Sequence, residues 1–137
     1  MTDWSWVSAD LPPREQSVIR HILEARAALH PERVLVQFED GVSWSYSETL
    51  DEARKAAAGL ARLGVTRGDV VLAFMANSPA LLKTWLGINF LGAAMAAPNT
   101  AMRGSVLQHL VTLSDAKIAL VDAGLLDRFA DIDLGEV

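Results

Sequence analysis

The amino-acid sequence predicts an α/β fold, a three-layer type in which helices flank a parallel sheet and a small N-terminal β-hairpin precedes them. Residues 70–75 form a continuous apolar run, which is typical of a strand covered on both faces. Two shorter apolar runs follow, each after a segment of helical length, and connections of that length favour parallel strands with right-handed crossovers. Upstream, Asp40-Gly41 lies between two short segments and is a typical hairpin turn.

The first element is predicted to be an amphipathic helix over residues 14–29, preceded by a flexible N-terminus over residues 1–13 and ended by His30-Pro31. Hairpin strands are predicted over residues 34–39 and 42–44. The apolar spacing predicts a helix face formed by Val18, Ile22, Ala25 and Leu29, with Ile19, Leu23 and Ala27 beside it.

A second helix is predicted to begin after Ser45, because Ser45 and Glu48 have the spacing of a capping box. Leu63-Gly64-Val65 is a typical helix stop, in which Gly64 is left-handed and Val65 folds back on Leu60. The helix is predicted to place these apolar residues on one side: Leu50, Ala53, Ala57, Leu60 and Ala61.

Residues 70–121 are predicted to alternate strand–helix–strand–helix–strand. Asn77 or Ser78 is predicted to cap the first of these helices, with Pro79 as its first residue, and Gly92 ends it. The remaining elements are a strand over 93–97, a helix over 103–113 with Val106, Leu110 and Leu113 on one face, a strand over 117–121 and a helical turn over 124–129. Residues 14–69 and 70–137 are predicted to belong to a single partial domain, 1–137. After the last helical turn, the sequence predicts no element that would complete this domain.

The composition excludes several classes of protein. The net charge is −5 and the basic residues form no stripe, so nucleic acid and anionic membranes are not predicted as partners. The absence of cysteine excludes disulfides and thiolate metal sites and fits a cytoplasmic location. The N-terminus lacks a signal-peptide pattern, and polar residues and prolines interrupt the apolar stretch 74–100 too often for a transmembrane segment.

The sequence assigns no catalytic, cofactor-binding or metal-binding residue. It contains neither GxGxxG nor GxxxxGK[ST], and "GVTRGD" from Gly64 is predicted to be a helix stop and a turn. His21, His30 and His109 lack metal-ligand spacing, and His30 is predicted to serve a helix end. Asn77 and Asn99 each follow a predicted strand. Asn77 is interpreted first as a helix cap and Asn99 first as a turn former, and ligand contact is the second interpretation of both. A C-terminal acidic group is predicted to be solvated surface: Asp127, Asp131, Asp133 and Glu136.

The order of these local signals resembles the N-terminal part of the adenylate-forming enzymes, the family of acyl-CoA synthetases, luciferases and peptide-synthetase adenylation domains. The resemblance covers nearly the whole chain beyond about residue 15, and residues 84–104 favour acyl-CoA or carnitine-type CoA ligases within the family. The matching segments are Ser45-Tyr46-Ser47-Glu48, Leu63-Gly64-Val65 with Gly68-Asp69-Val70, Asn77-Ser78-Pro79, Gly92-Ala93, Pro98-Asn99 and residues 110–122.

The resemblance implies an ATP-dependent acid–CoA ligase, which activates a carboxylic acid with MgATP as an acyl-adenylate and then passes the acyl group to CoA. The family's phosphate loop, ribose-binding Asp and C-terminal Lys lie beyond the matching stretch, so the resemblance transfers no site residue to this chain. It implies the N-terminal piece of such a ligase: a truncated chain, a domain excerpt or a split-gene product. That piece is expected to be inactive alone, with ATP, Mg²⁺ and CoA bound only by the full ligase.

Two rival interpretations remain open from the sequence. One is a stand-alone α/β ligand-binding or interaction module; the other is a split subunit that completes a ligase in trans. The expected partners are the carboxylic acid substrate and the remainder of the ligase, and exposed apolar surface could also pair two copies as a homodimer.

Overall fold

A computed structural model describes residues 13 and 16–135. No helix in this described part is long and apolar enough to cross a membrane. Residues 1–12, which contain most of the N-terminus predicted to be flexible, lie outside the described residues. The elements are α1 (Ile19–Leu29), β1 (Val34–Gln37), β2 (Ser43–Ser45), α2 (Tyr46–Arg62), β3 (Val70–Phe74), α3 (Pro79–Leu91), β4 (Ala94–Ala96), α4 (Gly104–Ser114), β5 (Ile118–Val121) and a 3₁₀ helix (Ala123–Phe129).

Helix α1 begins later than predicted and packs through a different face. Val18, the residue before it, has extended backbone angles, and before that the Gln16 N–H donates to the Pro13 carbonyl at 2.8 Å. The buried residues are Leu23 and Ala27, whereas Ile22 and Leu29 are 44% and 67% exposed. The predicted face of Val18, Ile22, Ala25 and Leu29 is therefore wrong: two neighbouring apolar stripes have helical spacing, and α1 packs against α2 and α3 with the other one.

The hairpin forms as predicted. Strands β1 and β2 are antiparallel, with an irregular register between Val34 and Val36. Gly41 has a φ of +85°, which favours glycine, and the Val42 N–H donates to Asp40 Oδ1 at 3.0 Å. The predicted hairpin turn is thus confirmed.

The predicted capping box at the start of α2 is confirmed. The Glu48 N–H donates to Ser45 Oγ at 3.2 Å, and the Ser45 N–H donates to Glu48 Oε2 at 2.7 Å. The Thr49 hydroxyl also donates to the Ser45 carbonyl at 2.7 Å. These bonds satisfy backbone groups that every helix start leaves without an intrahelical partner, and so they fix where the hairpin ends and α2 begins.

Removing the Ser45 hydroxyl is expected to destabilise the protein by about 1 kcal/mol, the usual cost of losing an N-cap side chain. Ser45→Thr keeps the hydroxyl and should lose less. Urea unfolding followed by circular dichroism measures both. Equal stability of Ser45→Ala and the unsubstituted chain would show that the capping box contributes nothing.

The end of α2 follows the predicted glycine stop. Gly64 has a φ of +89°, and the N–H groups of Gly64 and Val65 donate to the carbonyls of Ala61 and Leu60 at 3.0 and 3.1 Å. This paired hydrogen bonding is the Schellman arrangement. Val65 and Leu60 are buried in one cluster, while Ala61, predicted to lie on the apolar side, is exposed.

The central sheet has three parallel strands in the order β4-β3-β5. Strand β3 is buried on both faces, as its apolar run predicts. On one face, Val71 packs in a cluster with Leu60 of α2 and Ile88 of α3. On the other, Leu72 and Phe74 pack in a cluster with α4. The three-layer α/β arrangement is therefore confirmed.

Helix α4 repeats the error in α1. Its buried residues are Leu107 and Val111, whereas Val106 and Leu113 of the predicted face are 56% and 69% exposed. The adjacent apolar stripe contacts the sheet instead. The helical turn predicted over 124–129 forms as part of the 3₁₀ helix, and its Phe129 ring meets Phe74 edge to face at 5.1 Å.

The "GVTRGD" segment is a helix stop and a turn, as predicted. Gly68 has a φ of +90°, and Asp69 Oδ2 accepts hydrogen bonds from the Lys117 ammonium at 2.9 Å and from the Thr66 N–H at 2.7 Å. Lys117 also donates to the Gly64 carbonyl at 2.7 Å. This group of contacts ties the turn before β3 to the start of β5.

These contacts predict a pH dependence. The Lys117 hydrogen bond, aided by the Thr66 N–H and opposed by desolvation, holds the pKa of Asp69 below its ordinary value. A carboxylate with a lowered pKa stabilises the fold above its unfolded pKa of about 4, and this stabilisation is lost as the pH falls through the lower folded value. Urea unfolding should therefore show Asp69→Asn to be less stable than the unsubstituted chain at neutral pH, with the difference shrinking below about pH 4. A difference that stays constant down to acid pH would contradict this.

Candidate functional site at the carboxyl edge of the sheet

The carboxyl ends of β3 and β5 are tied together by one aspartate. Asp122 Oδ2 accepts a hydrogen bond from the Ala76 N–H at 2.7 Å, and the Asp122 N–H donates to the Phe74 carbonyl at 3.2 Å. The carboxyl edge of a parallel α/β sheet is where such folds bind ligands. Asp122 therefore holds the turn after β3 in place at the edge where a ligand would be expected, and the sequence did not single it out.

Asn77 lies in that turn with its side chain exposed. Ser78 is the residue that caps α3, since its Oγ accepts from the Leu81 N–H at 3.2 Å. Of the two predicted caps, Ser78 is right and Asn77 is wrong. Asn77 instead borders two grooves of about 370 and 400 Å³, the first lined by Ser78, Leu81, Leu82, Trp85 and Met95, the second by Gln37, Phe38, Glu39, Asp40, Ser78 and Pro79.

Asn99, after β4, is a turn former as predicted. Its Oδ1 accepts from the Ala101 N–H at 2.8 Å, and its carbonyl accepts from the Met102 N–H at 3.0 Å. The side chain is thus engaged in the local turn. Of these two asparagines at the carboxyl edge of the sheet, Asn77 is the one whose side chain borders grooves.

The other candidates lie apart from this edge. His21 approaches Glu24 at 3.7 Å on α1, His30 ends α1 through its backbone N–H to the Arg26 carbonyl at 2.8 Å, and His109 is exposed on α4. Asp127, Asp131 and Asp133 are exposed, and Glu136 lies outside the described residues. No three His, Asp or Glu side chains come together as a metal site within residues 13 and 16–135.

A larger apolar groove of about 550 Å³ lies beside β5. In the described part of the chain, no strand pairs with the outer edge of β5 or of β4. The groove is lined by Met75, Thr84, Ala119, Leu120, Val121, Leu126, Phe129 and Leu134. Its apolar lining and the open strand edge suit packing against further protein better than binding a polar ligand.

Comparison with known proteins identifies the family. The sequence profile described as AMP-binding enzyme matches residues 23–135. The chain belongs to the AMP-binding enzyme family. It is 33% identical over 119 residues to the medium/long-chain-fatty-acid–CoA ligase FadD6 of Mycobacterium tuberculosis, covering 87% of this chain and 20% of that protein. It is also 33% identical over 113 residues to a 2-succinylbenzoate–CoA ligase of a Geobacillus species, covering 82% of this chain and 23% of that protein.

Solved structures agree with this assignment. A fatty acyl CoA synthetase of Mycobacterium tuberculosis superposes with a TM-score of 0.79 at 25% identity, covering 90% of this chain and 26% of that one. The N-terminal domain of FACL13 from the same organism gives a TM-score of 0.79 at 26% identity, covering 88% of this chain and 32% of that one. This member of the AMP-binding family therefore spans about a fifth of the length of the curated relatives it matches.

The family implies a nucleotide, and the described residues lack two features that commonly hold one. The turn from β3 to α3 contains no glycine that would let backbone approach a phosphate. No cluster of metal-ligating side chains lies among residues 13 and 16–135 to hold Mg²⁺.

Proposed function

We propose that this chain is the N-terminal part of the large domain of an ATP-dependent acid–CoA ligase. The observation that carries the proposal is the match to CoA ligases along residues 23–135 in a fold whose sheet edges are open. The ligase activates a carboxylic acid, with a fatty acid as the first candidate because of the similarity to FadD6. Its cofactors are ATP, Mg²⁺ and CoA, and its location is the cytoplasm.

The role proposed for this chain is structural. The chain forms one side of the large domain, and the remaining sheet packs against that side. Its capping box, glycine stops and buried strand stabilise this part of the fold. When bound, MgATP supplies an AMP leaving group that a bare carboxylate lacks, and its charge needs cationic and backbone donors. Those donors belong to the rest of the ligase, so residues 1–137 alone have no adenylation activity.

The apolar groove beside β5 supports the expected partner. Further strands of the same ligase would cover the open edge of β5, and Leu126 and Leu134 beside it, which are 56% and 37% exposed, would become buried. Without that cover, two copies would pair or aggregate through the same surface. A partner supplied as a separate chain would make this protein a split subunit of the ligase.

The coding sequence after Val137 tests the proposal. We expect an open frame, or an adjacent one, to encode a Ser/Thr/Gly-rich loop ending in Lys. A stop codon at that point, with no such loop encoded nearby, would remove the ligase function from this gene product.

A stand-alone ligand-binding module is the second candidate, and exposed Asn77 between two grooves is the observation that favours it. A bound ligand raises the melting temperature by mass action. Cooperative melting of a monomeric chain that ATP or AMP stabilises, and whose stabilisation Asn77→Ala abolishes, would support this candidate over the ligase fragment.

A further inference from the structure

A third groove lies away from the carboxyl edge, between α1, β1 and α3, with a volume of about 340 Å³. Its base includes buried Leu23 and Leu86 and half-buried Trp85. Its rim includes Ile22 and Leu35, which are 44% and 41% exposed. Apolar side chains this exposed around one groove are typical of a surface that another segment covers.

The described part of the chain begins at Pro13, shortly before the first residue that lines this groove. The Pro13 carbonyl accepts hydrogen bonds from the Gln16 N–H at 2.8 Å and the Ser17 hydroxyl at 3.1 Å. Helix α1 starts a short distance later at Ile19, and Ile19 lines the groove. Residues 1–12 therefore join the described chain six positions before Ile19, the first residue of α1 at the groove.

The sequence of that segment suits an apolar groove. Residues 1–12 read MTDWSWVSADLP, with Trp4, Trp6, Val7 and Leu11 as large apolar side chains. Two of the four tryptophans of the chain lie here, at a spacing of two residues. In an extended segment, residues two apart face the same side, so both indoles can be buried together.

The segment is long enough to run back along α1. Pro13 lies seven positions after Trp6, and an extended chain covers about 3.3 Å per residue, or roughly 23 Å in all. The helix from Ile19 to Arg26, which lines the groove along its length, is only about 10 Å long. Arg26 is exposed at the groove, and the segment carries the acidic residues Asp3 and Asp10.

We propose that residues 4–11 dock in the groove between α1, β1 and α3 of the same chain, with Trp4 and Trp6 covering Ile22 and Leu35. Docking buries two indoles, each of which contributes roughly 150–250 Å² of contact surface. The inference is independent of the ligase proposal, because it uses only the groove and the segment that adjoins it. The competing states are a free N-terminus, as the sequence predicts, and a groove filled by a second copy.

Disulfide formation tests the docking, because the chain contains no cysteine and an introduced pair forms the only disulfide. The full chain carries Ser8→Cys together with Ile22→Cys, and the rate of intramolecular oxidation is measured. A matched chain carries Ser8→Cys with His21→Cys. His21 is adjacent to Ile22 in α1, is exposed and does not line the groove. Docking raises the effective concentration of one thiol at the other, so the Ile22 pair should oxidise about tenfold faster than the His21 pair.

A second comparison assigns the effect to the tryptophans. Adding Trp4→Ser and Trp6→Ser to the Ile22 pair should slow its oxidation by about tenfold, toward the rate of a flexible tether. Ser8→Cys with Arg26→Cys provides another groove pair in case Ile22→Cys disturbs α1. Equal rates with and without the tryptophans would mean a free N-terminus and would overturn the proposal. Disulfide-linked dimers in place of the intramolecular bond would assign the groove to a second copy and overturn it equally.

Discussion

Gly87→Ala is expected to destabilise the protein by about 2–3 kcal/mol, since a methyl group forced into a packed contact between helices cannot be accommodated cheaply. Gly87 is buried in α3 where that helix crosses α2. A Cβ added there would lie 2.7 Å from Ala56 Cβ and 2.8 Å from the Ala57 backbone nitrogen. The backbone of α2 cannot move aside without separating the two helices, so the substitution disturbs the layer that covers one face of the sheet.

Gly59→Ala is the matched control. Gly59 lies in α2, and a Cβ added there would meet nothing within 4 Å. Because alanine favours a helix over glycine by about 0.5–1 kcal/mol, Gly59→Ala should stabilise the chain. Urea unfolding of both variants measures the difference. The interpretation is wrong if Gly87→Ala is also stabilising, since that would mean α3 does not approach α2 this closely.

Phe74→Ala is expected to cost about 3–5 kcal/mol, the range for removing a fully buried aromatic side chain. Phe74 ends β3, is 0% exposed and packs among Leu72, Leu107 and Val111. Its ring also meets Phe129 at 5.1 Å with an interplanar angle of 79°. The cavity would open between the sheet, α4 and the 3₁₀ helix, directly beneath the carboxyl edge.

Phe38→Ala removes the same side chain from another edge-to-face pair and serves as its control. Phe38 meets Trp44 at 4.8 Å in the hairpin and is only half-buried. With less area removed from water, the expected loss is about 1–2 kcal/mol. Similar losses for both variants in chemical denaturation would show that the layer between β3 and α4 is not the main core.

The parts of the fold that sequence could predict are those fixed by neighbouring residues. Ser45 with Glu48 and Gly64 with Val65 act within a few positions of one another, so their chemistry can be read locally. Strand β3 was predictable because burial on both faces leaves a continuous apolar run. Each of these signals is also part of the series by which the sequence resembles the adenylate-forming enzymes.

The prediction errors arise where packing between elements that are distant in sequence determines which face of a helix is buried. Helices α1 and α4 each have two apolar stripes, and only contact with other elements determines which is buried: Ile22 and Leu113 are exposed, while Leu23 and Val111 are buried. Ile22, in the exposed stripe of α1, lines the groove in which the N-terminal segment is proposed to dock. In α4, no described element covers Val106 and Leu113.

The candidate site also contains some contacts that are local in sequence and others that join distant residues. Asn99 forms a turn with residues beside it, and the sequence predicted this. Asp122 acts on Ala76, which lies 46 positions earlier, and nothing near Asp122 in the sequence indicates that contact. Ser78 and Asn77 are adjacent and both suit a cap, so only the hydrogen bond to Leu81 shows that Asn77 is left exposed at the edge.

Pyrophosphate exchange tests the central claim most directly. The product of the full open reading frame that contains this chain is incubated with MgATP, labelled pyrophosphate and a panel of carboxylic acids that includes fatty acids and aromatic acids, beside residues 1–137 alone. We expect acid-dependent incorporation of label into ATP by the full product and none by residues 1–137. Absence of exchange by a folded full product with every acid would contradict the ligase assignment, and exchange by residues 1–137 alone would contradict their purely structural role.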